Sequence, residues 1–184
     1  FTTIATTISD FPSYQTFEDL ENGPISIEFR NEYVNKWVIG TATGVEEEAG
    51  SGETTTSLYI SNDNGESNAY STSPTCYASA IMPVLFGENS EYVLSFDYKL
   101  VGESLYSSKY DYFMLFMCDS DVNIPTNGQP QGSGVTVLMD KQTDIPTWTH
   151  ASINLSNVSN TTKQIVFYWR NDNRGGSNQP IAIE

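Results

Sequence analysis

Positive charge is scarce in this sequence. Its 184 residues contain 8 lysines and arginines against 23 aspartates and glutamates, which gives a formal net charge of −15 at pH 7. A chain with this excess repels phosphate backbones and anionic lipid surfaces, so the composition argues against nucleic acid as a partner. The acidic residues fit two roles, a solvated face that keeps the protein soluble and a supply of oxygen ligands for hard cations such as calcium.

Long apolar runs are also missing. No stretch approaches the roughly 18 consecutive apolar residues that a membrane-spanning helix requires. The chain does not open with the charged and then apolar segment of a secretory signal peptide. We therefore expect a soluble, mature piece of protein that does not insert directly into a membrane.

Side chains that commonly carry catalysis are few. His150 is the only histidine, and it lies in a strand-like segment without a nucleophile elbow, so we expect it on the surface or on an edge strand. The acids are numerous enough to supply the paired carboxylates of a glycosidase, but no spacing singles out two of them. No catalytic residue is predicted and the chain is not expected to be an enzyme, with a fragment of a hydrolase as the alternative.

Cysteine occurs only twice, at Cys76 and Cys118. In an oxidising compartment the two residues are able to form a single disulfide, but their spacing in sequence does not say whether the sulfurs approach each other. The alternative is that both are buried as small apolar side chains.

The residues that are abundant favour β-structure. The sequence has 13 glycines, 11 tyrosines and 9 phenylalanines, with many serines, threonines and asparagines, and apolar residues recur with a period of two between turn-forming clusters. Strands are predicted at 25–29, 37–40, 57–60, 76–84, 91–101, 110–118, 135–139, 147–155, 164–170 and 181–184. About nine or ten short strands without a helix of normal length predict an all-β fold, an antiparallel β-sandwich of jelly-roll type.

Alternation also predicts which side chains are internal. In the strand 164–170, Ile165, Phe167 and Trp169 lie on one face and the intervening residues on the other. Trp37 and Trp148 occupy similar strand patterns, so all three tryptophans are expected in the core rather than on a binding platform.

Several strand and turn strings, in this order and spacing, resemble those of the choice-of-anchor J and cleaved-adhesin family. These are jelly-roll modules, similar in appearance to MAM domains, of large surface and secreted proteins of Bacteroidetes. The resemblance spans nearly all of residues 15–184. The strings are Phe17-Glu18-Asp19, Trp37-Val38-Ile39-Gly40-Thr41-Ala42-Thr43-Gly44, Ser57-Leu58-Tyr59-Ile60-Ser61-Asn62-Asp63-Asn64-Gly65, Tyr92-Val93-Leu94-Ser95-Phe96-Asp97-Tyr98-Lys99, Trp148, Val166-Phe167-Tyr168-Trp169-Arg170-Asn171-Asp172 and Pro180-Ile181-Ala182-Ile183.

The resemblance implies a function class rather than one activity. It predicts a non-catalytic adhesive or interaction module of a multidomain protein, extracellular or at the cell surface, whose partners are a glycan or a host or surface protein together with neighbouring domains of the same polypeptide. The alternative is a carbohydrate-binding module attached to a glycan-degrading enzyme or a peptidase.

The resemblance also divides the chain. Residues 15–184 form the predicted module, and residues 1–14 are predicted to be a linker or the end of a preceding fibronectin type III-like domain. The segment Phe1-Thr2-Thr3 resembles the last strand of such a domain. The family usually closes with an aspartate after Ile-Ala-Ile, where this chain has Glu184 and then stops, so the last strand is expected to be cut short.

Calcium is the candidate cofactor. Related jelly rolls hold a metal near their first and last strands, which implies Glu18, Asp19, Asp63, Asn64 and Glu184 as ligands, with Asp172 as a weaker candidate. The residues themselves leave an alternative open, because Asn and Asp next to a glycine also form a hairpin turn.

A second candidate site binds sugar. Sugar rings present C–H faces that stack on aromatic side chains, while their hydroxyls bond to amides, carboxylates and guanidinium groups. Such side chains lie in or beside predicted loops, at Tyr106, Tyr110, Asn171, Asp172 and Arg174.

Overall fold

The computed structural model describes residues 7–14, 17, 27–41, 56–176 and 179–184. The described residues form strands and turns, with no helix among them. Glu18, Asp19 and the segment Phe1-Thr2-Thr3 lie outside these ranges. The strands are β1 (Glu28–Asn31), β2 (Lys36–Gly40), β3 (Ser57–Ser61), β4 (Cys76–Leu85), β5 (Glu91–Leu100), β6 (Glu103–Leu105), β7 (Ser108–Asp119), β8 (Val135–Gln142), β9 (Ile145–Ser156), β10 (Thr162–Asn171) and β11 (Ala182–Ile183).

The strands form two facing sheets. Sheet A has the order β1-β4-β10-β7-β6, with β8 also paired to β7, and sheet B has the order β2-β3-β11-β5-β9. Every pair of these strands is antiparallel. Most neighbours in the sheets are distant in sequence, the exceptions among the described strands being β2-β3, β6-β7 and β7-β8. This is the pattern of a jelly roll and confirms the predicted fold class.

The core lies between the sheets and is rich in aromatic rings. Phe96 and Tyr98 of β5 project from sheet B towards Phe113 and Phe167 of sheet A, and the ring centroids of Phe96 and Phe167 are 5.8 Å apart. Edge-to-face and tilted ring pairs of this kind add to the free energy of apolar burial. The alternation predicted for 164–170 is confirmed, because Phe167 and Trp169 both lie in this core.

Sheet A is also covered on its outer face. There Val166 and Tyr168 of β10 pack with Phe116 of β7 and with Ile124, which comes from the segment 120–134. The side-chain amide of Gln164 lies within 3.1 Å of the Val122 carbonyl and helps to hold this segment against the sheet. The central strands of sheet A are therefore buried on both faces.

The tryptophans divide into two groups. Trp37 and Trp169 are in the core as predicted, and the Trp37 indole donates a hydrogen bond of 3.1 Å to the Ala78 carbonyl. The prediction for Trp148 was wrong: it is half-buried on the outer face of sheet B, beside Tyr59. The alternation of β9 turns its side chain away from the core, and the Lys99 ammonium lies 4.6 Å from its ring.

The two cysteines are free and buried, which agrees with the predicted alternative of two small apolar side chains rather than with a disulfide. Cys76 pairs with Asn171 and Cys118 with Gln164, at opposite ends of β10. Seven residues of extended chain separate these positions by about 23 Å, which is far beyond disulfide range.

Two further features differ from or extend the predicted pattern. The strand β6 was missed, because its three residues carry no apolar alternation. In the segment predicted to be a linker, Ile8 forms a bridge with Val84 and the Phe11 ring lies 4.6 Å from the Tyr92 ring, so this part of residues 7–14 packs on the sandwich.

Candidate functional site

The residues predicted to bind sugar meet at one end of sheet A. Tyr106 and Tyr110 belong to the β6–β7 hairpin, while Asn171, Asp172 and Arg174 are at and after the end of β10. The antiparallel pairing of β10 with β7 brings the two groups together. The two groups therefore lie at the same end of sheet A but make different contacts.

The hairpin displays one aromatic ring to solvent. Tyr106 is 98% exposed and has a φ of 57°, which is the left-handed conformation of a tight turn. Tyr110, further along the same hairpin, is half-buried. At the base, Gly102 has a φ of 64°, and a Cβ there would lie 2.3 Å from the Asp111 carbonyl oxygen. Only glycine fits this close approach of the two strands.

Three carboxylates gather next to this hairpin. Glu103 of β6 is opposite Asp111 of β7, and the backbone N–H of Asp172 donates a hydrogen bond of 2.7 Å to Asp111 Oδ1. Each residue offers a carboxylate oxygen within 4.8 Å of the others. We call Glu103, Asp111 and Asp172 the acidic triad. Oxygen ligands at this spacing are suited to a hard cation.

The acidic triad has few protein donors for its charge. Asp111 is completely buried, and its Oδ2 accepts a hydrogen bond of 2.7 Å from the Tyr70 hydroxyl. Burial raises the pKa of Asp111 despite that bond. Burial, followed by the negative charges of Asp111 and Asp172, also raises the pKa of Glu103. Glu103 Oε2 is inaccessible to solvent and has no hydrogen-bond partner within the described ranges.

Two glycines close over the acidic triad. A Cβ at Gly175 would lie 2.1 Å from Glu103 Oε1, and one at Gly176 would lie 2.1 Å from the Tyr70 hydroxyl. Both have positive φ, at 62° and 87°. The turn after β10 therefore approaches the carboxylates at a distance that only glycine permits.

Next to the acidic triad, sheet A carries an open cleft on its outer face. The cleft has a volume of about 720 Å³, and most of its lining residues are polar or charged. We call it the β7–β8 cleft, and its lining consists of Ser107, Ser108, Lys109, Tyr110, Tyr112, Asp140, Lys141 and Arg170. Tyr106 lies in the turn directly before Ser107.

Positive charge surrounds one ring of the β7–β8 cleft. The Lys141 ammonium lies 4.7 Å and the Arg170 guanidinium 5.5 Å from the centroid of the Tyr112 ring. Lys109 donates a hydrogen bond to the Lys141 carbonyl, and Arg170 donates one to the Tyr110 carbonyl. These contacts hold the three cations in place through neutral partners.

The other predicted ligand residues have structural contacts. Asn171 is fully buried, and its Oδ1 accepts a hydrogen bond of 2.7 Å from the Asn35 amide. Its own amide donates to the Pro74 carbonyl at 3.1 Å. Arg174 is exposed, and its backbone N–H donates to Asp172 Oδ1 at 2.7 Å.

The predicted metal ligand Asp63 lies in a turn that satisfies it internally. Its Oδ1 accepts hydrogen bonds from the Ser61 hydroxyl at 2.6 Å and the Ser67 backbone at 3.0 Å, and its Oδ2 accepts one from the Ser67 hydroxyl. The hydrogen bond from Ser61 is the largest cause that lowers the pKa of Asp63 to about 2. Asn64 follows with a φ of 62°. We call residues 61–67 the Asp63 turn.

The structure does not bring Asp63 and Glu184 together. Glu184 Oε1 accepts a hydrogen bond from the Ser57 hydroxyl at one end of β3, and Asp63 follows Ser61 at the other end. Four residues of extended strand span about 13 Å, so the two carboxylates do not share one ion.

His150 is placed as predicted. It lies exposed on β9, the edge strand of sheet B, and its Nδ1 is 2.9 Å from Asp97 Oδ1. It therefore belongs to the opposite sheet from the β7–β8 cleft.

Sequence reasoning missed Glu103, Asp111, Lys141 and Arg170. For Asp111 the sequence did carry a signal. It lies two residues before Phe113 on β7 and therefore on the same inward face, where a single charged residue interrupts a series of apolar side chains. A buried carboxylate in such a row normally has a dedicated partner or a function. The other three residues are polar side chains at strand ends, and nothing local marks them.

The sequence matches no known protein family and no curated protein. Among solved structures, it is similar to the K1 cleaved adhesin domain of Lys-gingipain from Porphyromonas gingivalis W83, with 17% identity, a TM-score of 0.53 and 92% of each chain covered. It is also similar to TmCBM61 in complex with β-1,4-galactotriose, with 10% identity, a TM-score of 0.46, and 86% of this chain and 83% of that chain covered.

A third similar structure comes from the carbohydrate-binding modules of the β-sandwich superfamily, with 11% identity, a TM-score of 0.47, and 96% of this chain and 60% of that chain covered. The likeness to the cleaved adhesin domain shows a shared β-sandwich fold, as the sequence resemblance predicted. In the described part of the chain, no helix is long and apolar enough to cross a membrane.

Proposed function

We propose that this chain is a non-catalytic binding module of a secreted or surface-displayed protein and that its ligand is a carbohydrate. The observation that carries the proposal is the β7–β8 cleft, in which the half-buried Tyr110 lines the wall among side chains that donate and accept hydrogen bonds. Sugar recognition combines these two elements, because the ring stacks on the C–H face while polar groups bind the hydroxyls. The adhesive role follows if the glycan belongs to a host or to another cell surface.

The two cysteines and the acids of the β7–β8 cleft support a binding role. Both cysteines are buried, and burial raises the pKa of the Cys118 thiol to about 11 and also raises that of Cys76, which disfavours the nucleophilic thiolate. Asp140 is the single carboxylate among the residues that line the β7–β8 cleft, whereas glycoside hydrolysis requires a pair.

A glycan array tests the proposal directly. We expect the chain to bind a subset of oligosaccharides, and we expect Tyr110→Ala to weaken that binding about tenfold because the stacking surface is lost. Tyr14→Ala is the matched control, since Tyr14 is 81% exposed and lies outside the β7–β8 cleft. An array on which the unmodified chain binds nothing, with or without a chelator, would leave a protein-binding or spacer role instead.

We also propose that the acidic triad binds a calcium ion that stabilises the module. Three carboxylates lie within one coordination sphere, and the buried Oε2 of Glu103 has no protein donor in the described ranges. Isolated buried negative charge is unfavourable, and a divalent cation would supply the positive charge that the protein donors around the acidic triad do not. The ion would hold β6, β7 and the end of β10 together beneath the β7–β8 cleft.

Thermal unfolding with calcium or with chelator tests this second proposal. At a calcium concentration of about 100 times Kd, the ion adds about 2.7 kcal/mol, which is roughly 5–10 °C in Tm for a domain of this size. Asp172→Asn should abolish the shift while an amide oxygen still accepts from the Arg174 N–H. Asp63→Asn should leave the shift unchanged, and the reverse result would place the ion in the Asp63 turn.

A further inference from the structure

The distribution of cations on this acidic chain is uneven. The sequence has 8 lysines and arginines against 23 acids. Three of the eight, Lys109, Lys141 and Arg170, line the β7–β8 cleft, and Asp140 is the only acid among its lining residues. A local excess of two positive charges therefore stands on a molecule with a formal net charge of −15.

None of these three cations forms a salt bridge in the part of the chain that the structure describes. Arg30 and Lys163, by contrast, pair with Glu28 and Asp119. The cations of the β7–β8 cleft are held by carbonyl oxygens and by the Tyr112 ring, which leave most of their N–H donors available, although the Arg170 charge also acts on the Asp111 carboxylate. Without an anion, neighbouring like charges repel each other, so this arrangement favours a negatively charged ligand.

The cation next to the stacking ring is suited to a carboxylate. Arg170 donates to the Tyr110 carbonyl, so its guanidinium is fixed close to Tyr110, the ring that we assign to sugar stacking. A planar guanidinium binds a carboxylate through two parallel hydrogen bonds, and a lysine ammonium adds a point charge. A sugar that stacks on Tyr110 would present an acidic substituent to these groups.

We infer that the β7–β8 cleft recognises a carboxylate-bearing sugar residue, a uronic acid unit within a glycan. The inference rests on the proposed glycan-binding function and names its substrate class. The negative charge of the whole molecule disfavours dense polyanions, because repulsion acts over roughly a Debye length of 8 Å at physiological salt. A single acidic sugar among neutral ones gains the local attraction and avoids most of that repulsion.

The test uses a matched ligand pair in isothermal titration calorimetry, a uronic-acid trisaccharide and the same trisaccharide with its carboxyl groups reduced to alcohols. At low ionic strength we expect the acid to bind about tenfold more tightly. This preference should shrink as sodium chloride is raised, while the affinity for the neutral sugar stays constant. A sulfated trisaccharide serves as a third ligand that carries charge without a carboxylate.

Three variants locate the effect. Lys141→Gln should reduce the preference by a few-fold, and Lys109→Gln combined with Lys141→Gln should reduce it further, because only the Arg170 guanidinium then remains, with neutral-sugar binding retained. Asp140→Asn should strengthen binding of the acid by a few-fold, because it removes the only acid of the lining while an amide oxygen still accepts from the Lys141 N–H. Lys36→Gln, on β2 of the other sheet, is the charge-matched control and should change nothing.

The outcomes separate the inference from the function beneath it. Equal affinity for the acid and its neutral counterpart would overturn the inference and leave glycan binding intact, as would tighter binding of the sulfated sugar. A preference that Lys36→Gln reduces as much as Lys141→Gln does would also overturn it, because the effect would then come from overall charge. If no saccharide binds at all, the proposed function fails together with the inference.

Discussion

The Asp63 turn and the acidic triad solve the same electrostatic problem in different ways. In the Asp63 turn, the hydroxyls of Ser61 and Ser67 and a backbone N–H all donate to one carboxylate. In the acidic triad, three carboxylates share few donors, and one oxygen of Glu103 has none in the described ranges. The calcium site that we propose therefore rests on a shortage of donors around the carboxylates, not on the density of acidic residues in the sequence.

The largest expected contrast concerns the glycines that shape the two regions. Gly102→Ala should lower the free energy of unfolding by about 3 kcal/mol, because the new Cβ meets the Asp111 backbone and the residue has a positive φ. Gly65→Ala in the Asp63 turn should cost only about 1 kcal/mol, since its Cβ would lie 3.4 Å from the Tyr59 hydroxyl and only the backbone strain remains. Urea denaturation measures both values.

Gly128→Ala is the control for that pair, since a Cβ there meets no atom within 4 Å. It should leave the free energy of unfolding nearly unchanged. Equal losses for Gly102→Ala and Gly65→Ala would contradict the close approach of β6 to β7 on which the acidic triad depends.

Two buried tyrosines sharpen the comparison further. The Tyr70 hydroxyl donates to Asp111 Oδ2 at 2.7 Å, and the Tyr59 hydroxyl donates to the Gly65 carbonyl at 2.8 Å. In chelator, Tyr70→Phe should cost about 2 kcal/mol, because a buried charged oxygen loses a donor. Tyr59→Phe removes a bond to a neutral carbonyl and should cost about 1 kcal/mol.

Calcium should also change the stability of these two variants to different extents. The ion should reduce the deficit of Tyr70→Phe, since it neutralises the carboxylate that lost its donor, and should not change that of Tyr59→Phe. Identical deficits with and without calcium would mean that the acidic triad is stabilised by protein contacts alone.

Much of the fold was predictable because sheet strands carry a period of two. The alternation of β10 correctly placed Phe167 and Trp169 in the core, and turn residues marked most strand ends. Trp148 shows the limit of this reasoning, since an aromatic residue in a strand pattern fits either face of a sheet. Which face is covered depends on the other layer, and the local sequence does not contain that information.

Less of the candidate site than of the fold could be predicted from the sequence. Of the five residues predicted to bind sugar, Tyr110 lines the β7–β8 cleft, whereas Lys141 and Arg170 of that lining come from β8 and β10 and were not predicted. Strand pairing brings them beside Tyr112, and no spacing along the chain reflects it. The Asn62-Asp63-Asn64-Gly65 string was ambiguous for the opposite reason, because the same residues serve a metal site and a turn.

The smallest expected effect is the pH dependence of the Asp63 turn. The folded pKa of Asp63, about 2, is below its ordinary value of 3.8. Its stabilisation is therefore fully present above pH 3.8 and is lost as the pH falls towards 2. Asp63→Asn should unfold more easily than the unmodified chain near neutral pH, by about 0.5 kcal/mol after solvent screening, and the two stability curves should converge at low pH.

Asp121→Asn, at an exposed aspartate without a side-chain hydrogen bond in the described ranges, controls for the loss of charge alone. Parallel curves for Asp63→Asn and the unmodified chain down to pH 2 would show that the serine hydroxyls do not hold this carboxylate as an anion, and would reopen the Asp63 turn as a cation site.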